Sequence, residues 1–191
     1  MKSLQERRPF AGYGNPDMPL GSYAVLMGVY GSALVGFLAW RRGSGRRLES
    51  GLGLGETLTY GLATHKISRI LARDFVTAPL RAPFVRFKKK ERAAELSESS
   101  RGEGLRRAVG DLLSCTFCLG PWVAGALACA RALRPRETRL VASIFALTTL
   151  SDFLHRGYEW VGEGLKQTRE HAKALEASEG PLSESEGAAA H

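Results

Sequence analysis

The sequence predicts an all-α membrane helical bundle, on three observations. Leu20 to Trp40 is a run of 21 residues without a charge, and Leu112 to Ala130 is a second of 19. The Lys and Arg residues crowd into the gaps between apolar blocks instead of covering one face of a folded core. A hydrocarbon layer about 30 Å thick is crossed by about 20 residues of helix. Four transmembrane helices fit the pattern, or three if residues 52–72 lie flat in the interface. The chain carries 27 Lys plus Arg against 19 Asp plus Glu, a net charge of +8. In this blocked arrangement that charge points to anionic lipid headgroups and not to nucleic acid, for which no reading motif is present. The mean hydropathy of −0.14 averages the apolar blocks with a charged loop and a polar tail, so it does not exclude a membrane protein.

Residues 1–19 form a short segment whose Lys2, Arg7 and Arg8 precede the first span. A cleaved signal peptide is disfavoured, because the apolar run is too long and Arg41 and Arg42 follow it without a small-residue cleavage site. Within the span Ala24, Gly28, Ser32 and Gly36 recur every fourth residue, a stripe along which another helix backbone approaches closely. The segment 52–72 is amphipathic: His65, Lys66, Arg69 and Arg73 gather on one side of its last turns, Ala63, Ile67, Ile70 and Leu71 on the other. It spans with its polar stripe turned into a bundle, or it lies in the interface.

The connector 73–110 holds Phe84-Val85-Arg86-Phe87-Lys88-Lys89-Lys90-Glu91-Arg92, in which Arg86, Lys88, Lys89, Lys90 and Arg92 make a lipid-facing basic cluster or a solvated charge cluster that fixes topology. From Glu95 to Gly104 the Ser, Glu and Gly content predicts a flexible link. In the second uncharged run Pro121 marks the first helical turn, which leaves Cys115 and Cys118 in a preceding turn at headgroup level, with Trp122 at the interface. Leu140 to Ser151 is a shorter apolar run that becomes a span if Asp152, Phe153 and Leu154 continue it. The membrane domain thus covers residues 20–160. The polar tail 161–191 begins with a helix through Ala177 and ends disordered, with His171 and His191 exposed.

With four spans, the N-terminus, the connector and the residues after the fourth apolar run, from Asp152 on, share one side and hold 17 Lys and Arg, against 4 in each of the two loops opposite. The excess places both termini and the connector in the cytoplasm.

Cys115 and Cys118, in Ser114-Cys115-Thr116-Phe117-Cys118, are the chain's most distinctive chemistry. Two thiols at i and i+3 share a metal ion, form or exchange a disulfide, or pack as small weakly polar side chains. The four-span topology brings His65, Asp74, Asp152 and His155 toward the same membrane face. Cys115, Cys118, His65 and His155 then form a candidate tetrahedral zinc set, although a second close pair of ligands is missing. Redox exchange is favoured by a helix N-terminus and Arg106 and Arg107 nearby, and disfavoured by the lack of a strand-helix unit. Haem attachment is disfavoured because Leu119 stands where a histidine is needed. Cys129 lies about 16 Å farther along a continuous helix and is a packing residue. Asp74 and Asp152 are expected to pair with Arg69, Arg73 or Arg156. No catalytic triad, metalloprotease motif or phosphate loop is present, since Gly51-Leu52-Gly53-Leu54-Gly55 lacks both a preceding strand and the required spacing.

The stretch Thr57 to Leu154 resembles the small bacterial multi-pass membrane proteins grouped as domain of unknown function 1360, a family that includes a sporulation protein of the YjcA type. The resemblance is carried by Leu62-Ala63-Thr64-His65-Lys66-Ile67-Ser68-Arg69-Ile70-Leu71, then Asp74, Pro79-Leu80-Arg81 and the S-C-x-x-C-x-G-x-W motif at Ser114 to Trp122. It implies a multi-pass protein of the bacterial inner membrane and brings no reaction with it. The resulting expectation is a structural or partner-binding membrane module, self-associating or holding a membrane protein partner, with the Cys pair as a local fastening. A metal or thiol-redox site, and a small oligomeric transporter or channel, are the alternatives.

Overall fold

The uncharged run after Pro19 folds as one helix, α1 (Leu20–Gly43), with Pro at the start where its missing N–H is of no consequence and Arg41 and Arg42 at the negative end of the dipole. The structure, a computed structural model, describes residues 18–45, 51–92 and 95–179. The expectations for the N-terminal segment and for the disordered end of the tail lie largely outside those residues. A second helix, α2 (Leu54–Arg73), carries Glu56 in its first turn and Arg73 in its last, and ends where Asp74 turns extended. After a single 3₁₀ turn at Phe75–Thr77 come α3 (Ala78–Arg81), the strands β1 (Val85–Arg92) and β2 (Glu95–Ser100), and the helices α4 (Gly104–Ser114), α5 (Thr116–Leu133) and α6 (Pro135–Glu179).

The expected helical class holds, and two helices, α1 and α5, are long and apolar enough to cross a membrane. The connector differs from expectation. Val85 to Ser100 is an antiparallel hairpin in which Val85 pairs with Ser100, Phe87 with Glu98 and Lys90 with Leu96, its register slipping at Lys88 and Glu91. The flexible link expected at Glu95–Gly104 is therefore mostly strand. Tertiary contacts override its polar composition, since Leu96 and Val85 are buried and an isolated bridge joins Asp74 to Glu95. Gly102 and Gly104, both at positive φ, turn the chain from β2 into α4.

A second correction concerns the run Leu112–Ala130. It is split at Cys115, whose extended backbone ends α4 and caps α5. Pro121 sits inside α5 and not at its first turn, because the Cys115 sulfur caps the helix one turn earlier. The helix expected at the start of the polar tail is present, as the last part of α6, which runs unbroken from Pro135 through Gly162 to Glu179.

The chain divides into two units, Met1–Thr149 and Leu150–His191. In the first, the helices alternate in direction. Glu56 at the start of α2 meets Arg131 at the end of α5, so these two run antiparallel. The Tyr30 ring in α1 lies tilted against Trp122 in α5 while Tyr23 reaches Asp111 in α4, so α1 and α5 start at the same end. Arg139, early in α6, also meets Glu56, and the Thr149 hydroxyl bonds the Leu62 carbonyl, so α6 begins beside the start of α2 and runs with it. The core between α2 and α6 is Tyr60, Ala63 and Ala142, with Leu127 and Phe145 against it. Ala63 and Ala142 are fully buried, small residues that admit a close helix approach. The α1 stripe Ala24, Gly28, Ser32 and Gly36 is exposed, as are Met27, Val29 and Val35. The second unit is the remainder of α6, with Phe153, Leu154, Tyr158 and Trp160 exposed.

Candidate functional site

The end of the first unit where α2 finishes and α1 and α5 begin gathers most of the motif residues. Its centre is Arg81, 1 % exposed. The guanidinium donates through Nε to Glu98 Oε2 at 2.7 Å, through Nη1 to the Leu71 carbonyl at 2.8 Å and to Thr77 Oγ1 at 2.6 Å, and through Nη2 to the Asp74 carbonyl at 3.1 Å. One rigid fork thus satisfies carbonyls left open at the C-terminus of α2 and ties them to β2. Burying an unpaired guanidinium costs several kcal/mol, and here the charge is matched by Glu98. Arg69 forms a second ion pair, with Glu95, so two charges anchor the hairpin to α2.

The hairpin is also fixed to α4. Arg106 donates to the Pro83 carbonyl through Nε at 3.0 Å and Nη2 at 2.7 Å. Gly110 lies so near the base of the hairpin that a Cβ there would stand 2.5 Å from the Phe84 carbonyl oxygen. The connector is therefore a folded cap.

Next to the cap, Cys115 and Cys118 form a disulfide with Cα atoms 5.2 Å apart. The Cys118 N–H also donates to Cys115 Sγ at 3.2 Å, so sulfur supplies the N-cap that Ser or Asp supplies elsewhere. The intervening Phe117 is 92 % exposed. Cys118 borders a cavity of about 440 Å³ between α1, α4 and α5, whose polar group is the Tyr23 hydroxyl donating to Asp111 Oδ2 at 2.6 Å. Of the three readings open to the thiols, the oxidised pair is the one present.

His65 is exposed on α2, and His155 and Asp152 are exposed in the second unit. Among the described residues no three His, Cys, Asp or Glu side chains gather as a metal site. Arg69 pairs with Glu95 instead of an aspartate, and Asp74 contributes its backbone carbonyl to Arg81. Of the basic cluster, Arg86, Lys88 and Lys89 are exposed on β1, and Lys90 and Arg92 follow in its register. The free Cys129 is partly buried in α5. At the opposite end of the bundle, Glu56 accepts from Arg131 at 3.2 Å and Arg139 at 2.8 Å.

Residues 59–158 match the family described as Protein of unknown function (DUF1360). The chain belongs to this family. Among its relatives is the sporulation protein YjcA of Bacillus subtilis (strain 168), 32 % identical over 96 residues that cover 49 % of this chain and 81 % of that protein. No solved structure matches. The DUF1360 region contains most of α2, the Arg81 cap, the disulfide turn, α5 and the first half of α6, while α1 lies before it. Within DUF1360 terms, the Pro79-Leu80-Arg81 and Cys115 to Trp122 segments lie at the same end of the bundle. Sequence reasoning missed the roles of Glu98 and Arg106. Their only signal is a single acid in a Ser-rich run and an Arg just inside a helix, which no spacing rule picks out.

Proposed function

We propose that the chain is a non-catalytic module of the bacterial inner membrane that crosses the bilayer four times, through α1, α2, α5 and the first part of α6, with both termini in the cytoplasm, and that associates with a second copy of itself. The observation that carries this reading is the Arg81 network. The polar residues of the motif region are spent on closing a cap over the helix ends, in which the buried Arg81 charge is paired with Glu98. The alternating helix directions support four crossings, as do Leu54, Leu58, Leu140 and Leu147, which stay exposed on the two helices that are less apolar overall. The exposed α1 stripe of small residues, together with the apolar Met27, Val29 and Val35, supports contact with another helix. The disulfide then serves as a fastening at the entry of α5. The test is the mass of the detergent-solubilised chain over a dilution series, beside Gly28→Ile with Gly36→Ile. A dimer that dissociates in the variant supports the proposal, and a monomer at every concentration overturns it.

A second reading, thiol-redox work, is favoured by one specific observation: the joined Cys115 and Cys118 lie at the same end as the basic hairpin, the side that charge asymmetry assigns to the reducing cytoplasm. A disulfide there is exchanged in use. It predicts that the pair cycles with a thioredoxin-type reductant, and a pair that stays locked in spheroplasts treated with reductant argues against it. Zinc held by Cys115, Cys118, His65 and His155 requires the reduced pair, and metal content of the reduced protein decides it. Transport through an oligomer requires Glu56 and Asp152 for flux.

A further inference from the structure

The cap has an open side. Between the Phe75–Thr77 turn, α3 and the hairpin lies a cavity of about 700 Å³, walled by Phe75, Val76, Val85, Phe87 and Leu96 and bordered by Arg101. Three of these apolar residues are well exposed: Phe75 at 65 %, Val76 at 85 % and Phe87 at 64 %. The Arg101 Nε is closed off from solvent and meets no hydrogen-bond acceptor among the described residues. The acidic group lining the cavity, Glu98, is already engaged by Arg81. Apolar walls beside a guanidinium make a surface that accepts one chemistry well, a phosphate joined to hydrocarbon.

Position narrows the occupant. The cap is fastened to the ends from which the two candidate spans start, through Tyr23 to Asp111 in α4 and through Gly110 against Phe84. With α1 and α5 in a bilayer, the hairpin is held at headgroup depth. The exposed Arg86, Lys88 and Lys89 on the wall strand add a positive field that selects anionic lipid over zwitterionic. We infer that this cavity is a binding site for one anionic phospholipid, its phosphate on Arg101 and its upper acyl carbons against Phe75, Val76 and Phe87. The inference rests on the membrane-spanning part of the proposed function and is independent of self-association.

The experiment is native mass spectrometry of the full chain in detergent, with equal amounts of phosphatidylglycerol and phosphatidylcholine added. It is run at about 0.5 M salt, where the Debye length is only a few ångströms and exposed charges are screened. The expected result is retention of one phosphatidylglycerol in preference to phosphatidylcholine. Arg101→Gln lowers that retention about five-fold, the worth of one close cationic contact, and leaves phosphatidylcholine unchanged, while Arg101→Lys keeps most of it. Val76→Asn with Phe87→Asn, at exposed positions that do not hold the fold, lowers it too, which keeps the test decisive if Arg101→Gln fails to fold. Arg86→Gln, Lys88→Gln and Lys89→Gln together leave it largely intact at this salt. Equal retention of the two lipids overturns the site. So does retention that depends on the triple variant and not on Arg101, since the lipid is then held by the surface field alone.

Discussion

Arg81 and Glu98 form a nearly sealed ion pair, Nε to Oε2 at 2.7 Å with side chains 1 % and 6 % exposed, that joins the end of α3 to β2. The same guanidinium holds three other groups around the C-terminus of α2, so the pair is the point through which helix and hairpin communicate.

Arg81→Met should therefore cost about 3–5 kcal/mol, because it strands the Glu98 carboxylate and reopens the Leu71 carbonyl. Arg81→Lys recovers little, as a single ammonium does not reproduce a fork with four bonds. Thermal or urea unfolding in mild detergent measures this. Arg86→Gln, on the exposed face of β1, is the control and should stay within about 0.5 kcal/mol of the parent. An Arg81 variant as stable as the control would refute the cap.

Gly110→Ala tests the seam between α4 and the hairpin. The added carbon would stand 2.5 Å from the Phe84 oxygen and 3.0 Å from Ser100 Cβ. The oxygen belongs to backbone that also accepts from the Arg101 N–H at 2.7 Å, so it yields little. A loss of about 1–3 kcal/mol is expected despite the better helix propensity of Ala. Unchanged stability would mean that the hairpin rides loosely on α4.

Glu56→Gln addresses the far end of the bundle. It leaves Arg131 and Arg139 without their shared carboxylate, a pairing partly open to solvent and worth about 1 kcal/mol. The loss should shrink as salt is raised, since exposed pairs are screened. Reconstituted vesicles supply a second readout: a leak or uptake abolished by Glu56→Gln at unchanged folded yield would favour the transporter reading over a structural role.

The parts legible in the sequence are those whose cause is local. An uncharged run of sufficient length fixes α1 by itself, and the apolar content of α5 is equally plain. The hairpin was not legible, because Lys88-Lys89-Lys90-Glu91 and Glu95-Leu96-Ser97-Glu98 show no period of two. Its strands hold because Arg69 and Arg81, up to 26 residues before their acids, reach Glu95 and Glu98. The break at Cys115 is a similar case. A sulfur cap and a disulfide interrupt a composition that otherwise reads as one helix. The Cys pair was evident as chemistry from its spacing alone, whereas Arg81 stood in the Pro79-Leu80-Arg81 motif without a role, since a buried arginine is recognised by its partners and those are distant in sequence.

The disulfide turn gives the sharpest separation of readings. Closing a loop with sequence separation of only 3 stabilises by about 2 kcal/mol on chain-entropy grounds. Reductant should therefore lower the unfolding midpoint of the parent protein and leave Cys115→Ser with Cys118→Ser unmoved, the double variant already sitting at the reduced value. Elemental analysis of parent and variant, purified reduced and without chelator, is made on the same samples. Near-stoichiometric zinc in the reduced parent, lost in the variant and in His65→Ala, would replace the fastening with a metal site. Equal, metal-free proteins whose midpoints differ only under oxidising conditions are what the fastening requires, because its whole effect is then the cross-link between the N-cap and the first turn of α5.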